Sequence, residues 1–354
     1  MTEEKTTIQA EIKQPTPNRL PEPVPVGEQF WPPGTPPVVT IGCITFKQEE
    51  FIGQAIEAFL MQRTTFPVQI LIHDDASPDR TAEIIRGYQD NHPRLIEAIY
   101  QSENQYSQGN LPSKILKPLV RGTFLAICEG DDFWTDPLKL QKQVDFLENN
   151  PDYGLVHGDC NKYFQETGRW AYNCNNVKTN CEEPSDKEDL FRRILGFDYK
   201  IRTATVLYRT ELIRKLDANR RSFPMGDTPM WLELSRHTKF KYMDEVLAVY
   251  RVRRNSMSNA IDKVRRLRFR LAMWEMRVYY CKQFGYPVYP EVRKAYNKAL
   301  LMYLLLDPGF EPEYPLFNPS ATQKLRYKLA KLPFMSAISG LVKKLATLKN
   351  RLYR

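Results

Sequence analysis

Two pairs of adjacent aspartates are the residues whose types and spacing most clearly indicate chemistry. Asp74 and Asp75 follow an apolar run at residues 68–72, and Asp131 and Asp132 follow a second run at residues 124–128. Adjacent carboxylates repel each other unless a cation or hydrogen-bond donors lie between them. A helix-capping turn would explain either pair alone, but two pairs at the ends of neighbouring strands predict a ligand site.

The elements that must position these pairs follow from the alternation of short apolar runs with helical periodicity after residue 38. This pattern is typical of strands that cross over through helices into a parallel sheet, where ligands bind at the carboxyl ends of the strands. The predicted strands are 38–43, 68–72, 96–100 and 124–128, and the helices between them lie at 49–62, after an N-cap at Ser77 with Pro78 in the first position, and at 112–120.

The second half of the chain is less regular. Residues 157–184 have little periodicity and are predicted to form a loop or hairpin, and Ser185 with Glu188 forms a capping-box signal for a helix to residue 195. The remaining predicted elements are strands at 203–208 and 240–250, with helices at 229–237, 261–284 and 291–306.

Three motifs in this order carry a family resemblance: DDASPDRT from Asp74, EGDDFW from Glu129, and MGDTPMWLELSRHTKFKYMDEVLAVYR from Met225. Together they resemble the family 2 glycosyltransferases over residues 38–258. The resemblance implies a GT-A-like α/β fold, a mostly parallel sheet flanked by helices, with a nucleotide-sugar half at 38–136 and an acceptor half at 137–258. Outside it we predict a Pro-rich disordered arm at 1–37, a helical C-terminal extension at 259–319 and a basic amphipathic tail at 320–354.

The resemblance also implies roles on the donor side. Asp132 would ligate a divalent metal, and Asp131 would contact the ribose or the metal. Mn²⁺ or Mg²⁺ is expected because the candidate ligands are hard carboxylates and no His or Cys joins the motif. In the nucleotide-sugar-binding loops, Asp74 and Asp75 would lie against the base, which favours a uridine donor, with Thr45 and Phe46 helping to hold it.

Asp227, in the third motif, is the candidate catalytic base. It would take the proton of the acceptor hydroxyl while that oxygen attacks the anomeric carbon opposite the diphosphate, and one such displacement inverts configuration. The alternative is that Asp227 only caps the helix predicted from Pro229.

The sequence departs from the family at two places. Ile44 and Lys47 replace the proline and asparagine of the usual first turn, and Arg253 stands where the family often has a histidine near the diphosphate and metal. A guanidinium cannot ligate a cation, but it binds phosphate oxygens at two points. Arg253 would therefore assist the leaving group or bind a phosphate on the acceptor, unless it only ends a solvated strand.

A loose group of His157, Cys160, Cys174 and Cys181 invites a zinc interpretation. Its spacing matches no common structural-zinc pattern, and we expect no metal there. Without an export signal, the six cysteines are expected to be reduced thiols.

The net charge of +9 on 354 residues is a local property of the tail. Residues 320–354 hold nine basic and no acidic side chains, which leaves 42 of each sign in the rest of the chain. The body is therefore neutral, which argues against a nucleic-acid partner. The tail is predicted to lie on an anionic membrane surface, with packing on the protein or on a partner subunit as the alternative.

No apolar stretch is long enough for a membrane span or resembles a signal peptide, so we expect a cytoplasmic protein held peripherally on the inner face of the membrane. The predicted function is metal-dependent, inverting transfer of a sugar to a glycan or lipid-linked acceptor in cell-surface polysaccharide synthesis. The alternatives are a nucleotide-sugar-binding scaffold with a degenerate site, and a nucleotidyltransferase of related fold.

Overall fold

The computed structural model describes residues 19–110, 112–216, 221–254 and 262–332. Residues 1–18 of the predicted arm, the predicted domain boundary at residue 258 and residues 333–354 of the predicted tail lie outside these ranges. The strands are β1 (Val24–Pro25), β2 (Val39–Thr45), β3 (Arg63–Thr64), β4 (Val68–Asp74), β5 (Ile96–Tyr100), β6 (Phe124–Glu129), β7 (Phe133–Trp134), β8 (Tyr153–Phe164), β9 (Arg169–Ala171), β10 (Leu207–Arg209) and β11 (Lys239–Val252).

The helices alternate with these strands and then continue alone to the end of the described chain. They are α1 (Ile52–Leu60), α2 (Thr81–Asn91), α3 (Pro112–Leu116), α4 (Lys139–Asn149), α5 (Lys178–Cys181), α6 (Lys187–Gly196), α7 (Glu211–Lys215), α8 (Asp227–Leu234), α9 (Lys263–Gln283), α10 (Pro290–Leu304) and α11 (Ala321–Ala330). Short 3-10 turns lie at Val26–Glu28, Tyr106–Gln108, Lys117–Leu119 and Thr203–Thr205.

One sheet organises the described residues, in the order β5-β4-β2-β6-β10-β8-β11-β7, with β9 paired to β8. The strands β5, β4, β2 and β6 are parallel, as predicted. Every residue of β4 is buried, as expected for a parallel strand covered on both faces. The apolar runs that predicted these strands therefore reflect burial on two sides.

The second half of the sheet is mixed. The strand β10 runs antiparallel to both β6 and β8, whereas β11 runs parallel to β8. The predicted loop or hairpin from residue 157 contains a hairpin, formed where β8, a continuous strand of twelve residues, turns into β9. The first residues of the predicted segment lie within β8, so the loop alternative is wrong for them. The alternation of apolar and polar residues that indicates a strand is absent there, because residues 154–160 are all buried and include His157, Asp159 and Cys160.

Two helix starts differ from the capping predictions. The helix α2 begins at Thr81 rather than after Ser77, because the Asp79 carboxylate accepts from both the backbone N–H and the hydroxyl of Thr81. The helix α6 is capped by Asp186, which accepts from the N–H of Asp189, and not by Ser185. In α6 a neighbouring aspartate takes the place of the predicted serine, whereas the N-cap of α2 is Arg80, which makes no side-chain capping bond.

The described part of the predicted disordered arm packs on the body. The strand β1 pairs with β3, and Val26 is buried beside α1. Residues 19–37 therefore differ from the poorly ordered segment that the proline content predicted, because short apolar contacts and β-pairing hold them.

Two apolar clusters fill the space on either side of the sheet. One joins α1, α2 and α4 to the parallel strands, and the other joins α6, α8, α9 and α10 to the mixed half. The helices α9 and α10 thus pack on the mixed half of the sheet. None of the helices in the described ranges combines the length and the apolar character needed to cross a bilayer.

Candidate functional site

The carboxyl ends of β2, β4 and β6 bring the two acidic pairs to one edge of the sheet. Thr45, at the end of β2, is the register partner of Asp74 on one side. The preceding residue, Ile44, is the partner of Glu129 on the other side. The turn that carries Asp131 follows directly. Both pairs therefore flank the same strand end, which is the juxtaposition that the sequence predicted.

Gly130 lets the turn after β6 pass close to β2. A Cβ atom at this position would lie 2.4 Å from Oε1 of Gln48 and 3.1 Å from Cβ of Thr45. A side chain there would push against the floor of the site. The glycine in EGDD is thus explained by close approach rather than by backbone conformation.

The Thr45 and Asp74 side chains form a pocket with unused hydrogen-bonding capacity. Both are almost fully buried, and Thr45 Oγ1 and Asp74 Oδ1 have no hydrogen-bond partner among the described residues. The other oxygen, Asp74 Oδ2, accepts from the N–H of Ser77 at 3.2 Å. Because unpaired buried polar atoms are costly, this pair is suited to a ligand that supplies a donor.

Asp75 has a different role in the structure. Its Oδ1 accepts from the N–H of Gln105 at 2.7 Å, and its Oδ2 accepts from the N–H of Tyr106 at 3.1 Å. The side-chain amide of Asn104 also donates to its carbonyl oxygen at 3.1 Å. Asp75 therefore fixes the loop that follows β5, and Asp74 is the member of the pair with an oxygen available for a ligand.

Phe46 and Lys47 form the turn after β2. The Phe46 ring is 38% exposed at the mouth of the pocket, beside the Lys47 ammonium at 5.2 Å. Lys47 adopts a left-handed conformation with φ of 55°. Asparagine tolerates that region better than other non-glycine residues, which accounts physically for the family preference at this position. Lysine keeps the turn here, and its N–H donates to Ser77 Oγ at 3.0 Å.

The acidic turn after β6 and the residue before it carry three carboxyl groups with raised pKa values. Burial, together with Asp131 and Glu129, raises the pKa of Asp132 well above its usual value. Burial also raises the pKa of Asp131, although the charge of Arg253 opposes the rise. Glu129, at the end of β6, is exposed to solvent on one side. The protein that surrounds the rest of its side chain, together with the charges of Asp131 and Asp227, raises its pKa to about 7. Burial is thus the main reason why the pKa values of these three carboxyl groups are raised.

Arg251, at the end of β11, holds this turn in place. Its backbone N–H donates to Asp132 Oδ1 at 2.8 Å, and its Nε donates to the carbonyl oxygen of Asp131 at 2.8 Å. Its two terminal nitrogens donate to Gln165 and Gln54 at 2.7 and 2.6 Å. The sequence motifs placed Arg251 only at the end of a strand, and its position after Tyr250 was the available signal.

Two further arginines face the same turn. Arg253 Nε lies 2.8 Å from Asp131 Oδ2, and the Arg253 side chain keeps 26% exposure. Arg202 acts electrostatically on Asp132, and its buried Nε has no hydrogen-bond partner within the described ranges. Arg202 was missed because it precedes a 3-10 turn and belongs to no motif. Guanidiniums of this kind can bind anionic oxygens.

The donor set fits a hard divalent cation bound jointly with a ligand. In the part of the chain that the structure describes, no three His, Cys, Asp or Glu side chains converge as a complete metal site. Mg²⁺, however, is usually held by one or two carboxylates, with phosphates and water completing the shell. A cation beside Asp132 would offset the burial and the repulsion from Asp131 and Glu129 that raise the pKa of this carboxyl group.

Asp227 is the first residue of α8, with Gly226 as the N-cap. Its Oδ1 accepts from the N–H of Thr228 at 2.6 Å, within its own helix turn. The side chain is half-buried, and its charge reaches Glu129. Asp227 thus contributes to the helix start and interacts electrostatically with Glu129 at the end of β6.

His157, which the sequence left as the centre of a loose Cys/His group, is a core residue. It is fully buried beside the rings of Tyr199 and Tyr242, with centroid distances of 5.1 and 5.4 Å. Burial lowers the pKa of His157 to about 3, so the ring is neutral.

Comparison with known proteins identifies related chains. The family model described as Glycosyl transferase family 2 matches residues 40–216, which is half of the chain. An uncharacterized protein of Mycobacterium tuberculosis is 45% identical over 114 residues, which are 32% of this chain and 32% of that protein. An uncharacterized glycosyltransferase of Methanocaldococcus jannaschii is 22% identical over 282 residues, 77% of this chain and 91% of that protein.

A solved structure shares the fold. The crystal structure of S. aureus TarS residues 1–349 in complex with UDP-GlcNAc aligns with a TM-score of 0.54 at 14% identity, covering 89% of this chain and 92% of that chain. The predicted GT-A-like fold with a helical C-terminal region is thereby confirmed. The match to the mycobacterial protein covers about a third of that protein's length.

Proposed function

The chain belongs to glycosyl transferase family 2, and we propose that it moves a sugar from a nucleotide diphosphate sugar to a hydroxyl of a glycan or lipid-linked acceptor. The observation that carries this proposal is the position of Thr45 between Asp74 and the acidic turn. On one side of Thr45 lie buried oxygens without partners, suited to the edge of a base. On the other lie carboxylates and arginines, suited to a diphosphate and a cation.

A uridine donor fits the pocket formed by Thr45 and Asp74. Asp74 Oδ1 is an acceptor, and the N3–H of uracil is a donor, whereas cytosine presents an unprotonated nitrogen at the same position. Thr45 Oγ1 can donate to a carbonyl oxygen of the base. Phe46, exposed at the mouth, offers a face on which the base can stack.

Asp132 and Asp131 would hold Mn²⁺ or Mg²⁺, which supplies positive charge to the oxygens of the leaving diphosphate. Arg253 and Arg202 would bind other oxygens of the same group. Arg251 keeps the two carboxylates in place through its bonds to both residues. The charge that develops on the leaving group is thus met by groups that the fold has already positioned.

Asp227 acts as the general base. Its carboxylate takes the proton of the acceptor hydroxyl as that oxygen attacks the anomeric carbon, while the bond to the diphosphate breaks on the opposite face. The anomeric configuration is therefore inverted. The position of Asp227 at the start of α8, across from Glu129, supports this role.

The test is the release of UDP from a panel of UDP-sugars by the full chain in Mn²⁺, with water as the acceptor. Asp227→Asn should reduce turnover by at least about a hundredfold and leave the thermal shift with UDP unchanged. Asp186→Asn is the matched control, because Asp186 caps α6 through a similar local bond. If both variants lose a little stability and neither loses turnover, Asp227 is only a helix-start residue.

A binding or scaffold protein is the second candidate, and the ion pair between Arg253 and Asp131 is the observation that favours it. A carboxylate already paired with arginine is less available to a cation. Donor binding without UDP release from any sugar in the panel, at any divalent cation concentration, would support this candidate.

We propose that the enzyme works at a membrane surface, in cell-surface polysaccharide synthesis. The described part of the basic tail supports the surface location. Leu325, Leu329 and Leu332 of the α11 region are 57%, 46% and 37% exposed. They recur at helical spacing next to lysines and arginines, which is the pattern of a helix that lies on an anionic bilayer.

A further inference from the structure

A groove on the acceptor side of the molecule has no part in the proposed donor site. It has a volume of about 270 Å³ and opens between the loop after β5 and the first turns of α9. Its lining consists of Tyr106, Pro224, Arg265, Arg268, Phe269 and Ala272. The volume suits a group the size of one sugar or one phosphate ester rather than a second nucleotide.

Both walls of the groove lead to residues of the proposed site. Tyr106 lies in the loop that Asp75 holds, since the N–H of Tyr106 donates to Asp75 Oδ2 at 3.1 Å. On the opposite wall, Pro224 lies three residues before Asp227. A molecule in the groove would therefore extend from the end of β4 toward the start of α8, which is where an acceptor must approach.

The two charged residues in the lining are both arginines. Arg268 is held in position, because its Nη1 donates to Glu275 Oε2 at 2.7 Å and its guanidinium lies 4.9 Å from the Phe310 ring centroid. Glu275 offsets part of that charge. Arg265 lies one turn earlier on the same face of α9 and is exposed.

Arg265 and Tyr106 line the same groove. Burial raises the pKa of the Tyr106 phenol, and the charge of Arg265 opposes that rise. The groove thus combines two cationic groups with a tyrosine, a phenylalanine and a proline. Guanidiniums bind anionic oxygens, and the aromatic and apolar surfaces accept the carbon face of a sugar or polyol.

We propose that this groove binds a phosphate ester carried by the acceptor. The phosphate meets Arg265 and Arg268, and the carbon skeleton that carries it lies against Tyr106 and Phe269. This inference rests on the proposed glycosyl transfer, because it names the acceptor class of the same enzyme. The phosphate belongs either to a phosphorylated glycan or to a lipid carrier, and the two sources share this chemistry.

The experiment measures ligand binding to the full chain by calorimetry, with UDP and Mg²⁺ at saturation so that the donor site is filled. The ligands are mannose, mannose 6-phosphate and geranyl phosphate. At least one phosphate ester should bind about tenfold more tightly than mannose, and Arg265→Gln should remove that advantage, the order expected for a lost charge-assisted hydrogen bond. The tighter of the two esters identifies the source of the phosphate.

Arg266→Gln is the matched control, because Arg266 is the adjacent exposed residue of α9 and does not line the groove. It changes the net charge equally and should bind both esters as the wild type does. The inference is overturned if neither phosphate ester binds more tightly than mannose, or if the two variants lose affinity equally. Failure of UDP to bind in the same titrations would count against the donor site instead, so the two failures are distinguishable.

Discussion

Arg253 Nε lies 2.8 Å from Asp131 Oδ2, so a residue that departs from the family pattern pairs with a residue of the acidic motif. The guanidinium also lies over the Phe51 ring, 5.2 Å from its centroid. Arg253 thus neutralises part of the charge that a bound cation would otherwise meet. In the proposed mechanism the arginine therefore both competes with the cation and binds the leaving diphosphate.

These two effects predict opposite changes when the arginine is removed. Arg253→Gln should bind Mn²⁺ several times more tightly, because Asp131 loses its partner, and should release UDP about tenfold to a hundredfold more slowly. Calorimetry with Mn²⁺ and UDP-release assays measure the two quantities. The neighbouring Arg254→Gln changes an exposed arginine and serves as the control. Equal effects in both variants would contradict a specific role of Arg253 in cation and diphosphate binding.

We expect the Asp132 carboxylate to lower the stability of the metal-free protein and to be required for metal binding. Burial and two neighbouring carboxyl groups raise its pKa well above the usual value, so the charged form is unfavourable in the metal-free protein. Asp132→Asn should therefore raise the melting temperature in EDTA, abolish the additional stabilisation by Mn²⁺ with UDP, and lower UDP release by at least about a hundredfold.

Asp136→Asn provides the comparison for that experiment. Asp136 pairs with Lys142 at 2.9 Å, away from the acidic turn, so its removal should cost a little stability and leave the response to Mn²⁺ unchanged. A melting temperature in EDTA that falls in Asp132→Asn would show that the buried carboxylate stabilises the fold.

Much of the donor half could be predicted because its information is local. The strand β5 has the predicted bounds. The strands β2, β4 and β6 extend to Thr45, Asp74 and Glu129, and β2 begins one residue later than predicted. Apolar runs define buried strands, and the acidic pairs follow those runs directly. The convergence of the two pairs then follows from the parallel arrangement of the strands.

The remaining features depend on contacts between distant segments. Arg251 contacts residues 120 positions away, and Asp75 is engaged by a loop 30 residues later, so neither role is visible in a motif. The mixed half of the sheet was harder because β8 is buried along most of its length, polar residues included. Local pattern could place Asp227 near a helix start, but not its approach to Glu129.

We expect substitutions of the adjacent residues Asp74 and Asp75 to have different effects. Asp74→Asn should weaken UDP binding, because the unpaired oxygen is replaced or rotated, with little change in melting temperature. Asp75→Asn should instead destabilise the protein by on the order of 2 kcal/mol, since a carboxylate that accepts two N–H groups is lost. Hydrogen exchange at Gln105 and Tyr106 should rise only in the second variant. The reverse pattern of effects would contradict both roles.

We expect the buried Lys139 to make the free energy of unfolding depend on pH, independently of the candidate functional site. It is fully buried, and burial lowers its pKa to about 7. In the unfolded chain its pKa is near 10.4, so the unfolded state binds more protons between these values and stability rises with pH across that window. The slope from one proton is at most about 1.4 kcal/mol per pH unit.

Lys139→Met should flatten the rise in unfolding free energy measured by denaturant between pH 7 and pH 9. The replacement leaves Gln143 Oε1 without the donor that lies 2.8 Å away, so the slope rather than the absolute stability is the informative quantity. Lys142→Met, on the same helix, removes a surface ammonium paired with Asp136 and should keep the wild-type slope. An unchanged slope in Lys139→Met would mean that the buried lysine keeps its charge.

The exposed leucines of the α11 region predict how the chain meets a membrane. Replacing Leu325, Leu329 and Leu332 together by serine should reduce binding to phosphatidylglycerol vesicles by at least about tenfold, because these side chains lose their apolar burial in the bilayer surface. Cosedimentation with vesicles measures the effect, and raised salt should weaken the wild type as the basic residues are screened.

The matched control replaces Met302 and Leu305, which are 36% and 55% exposed on and just after α10, and should bind vesicles as the wild type does. If the triple variant keeps its vesicle binding, the stripe is not the membrane contact. If it instead changes from dimer to monomer in sedimentation velocity, the leucines cover a subunit interface. Because the stripe carries no proposed donor or acceptor residue, UDP release in detergent-free solution should be the same in all three proteins.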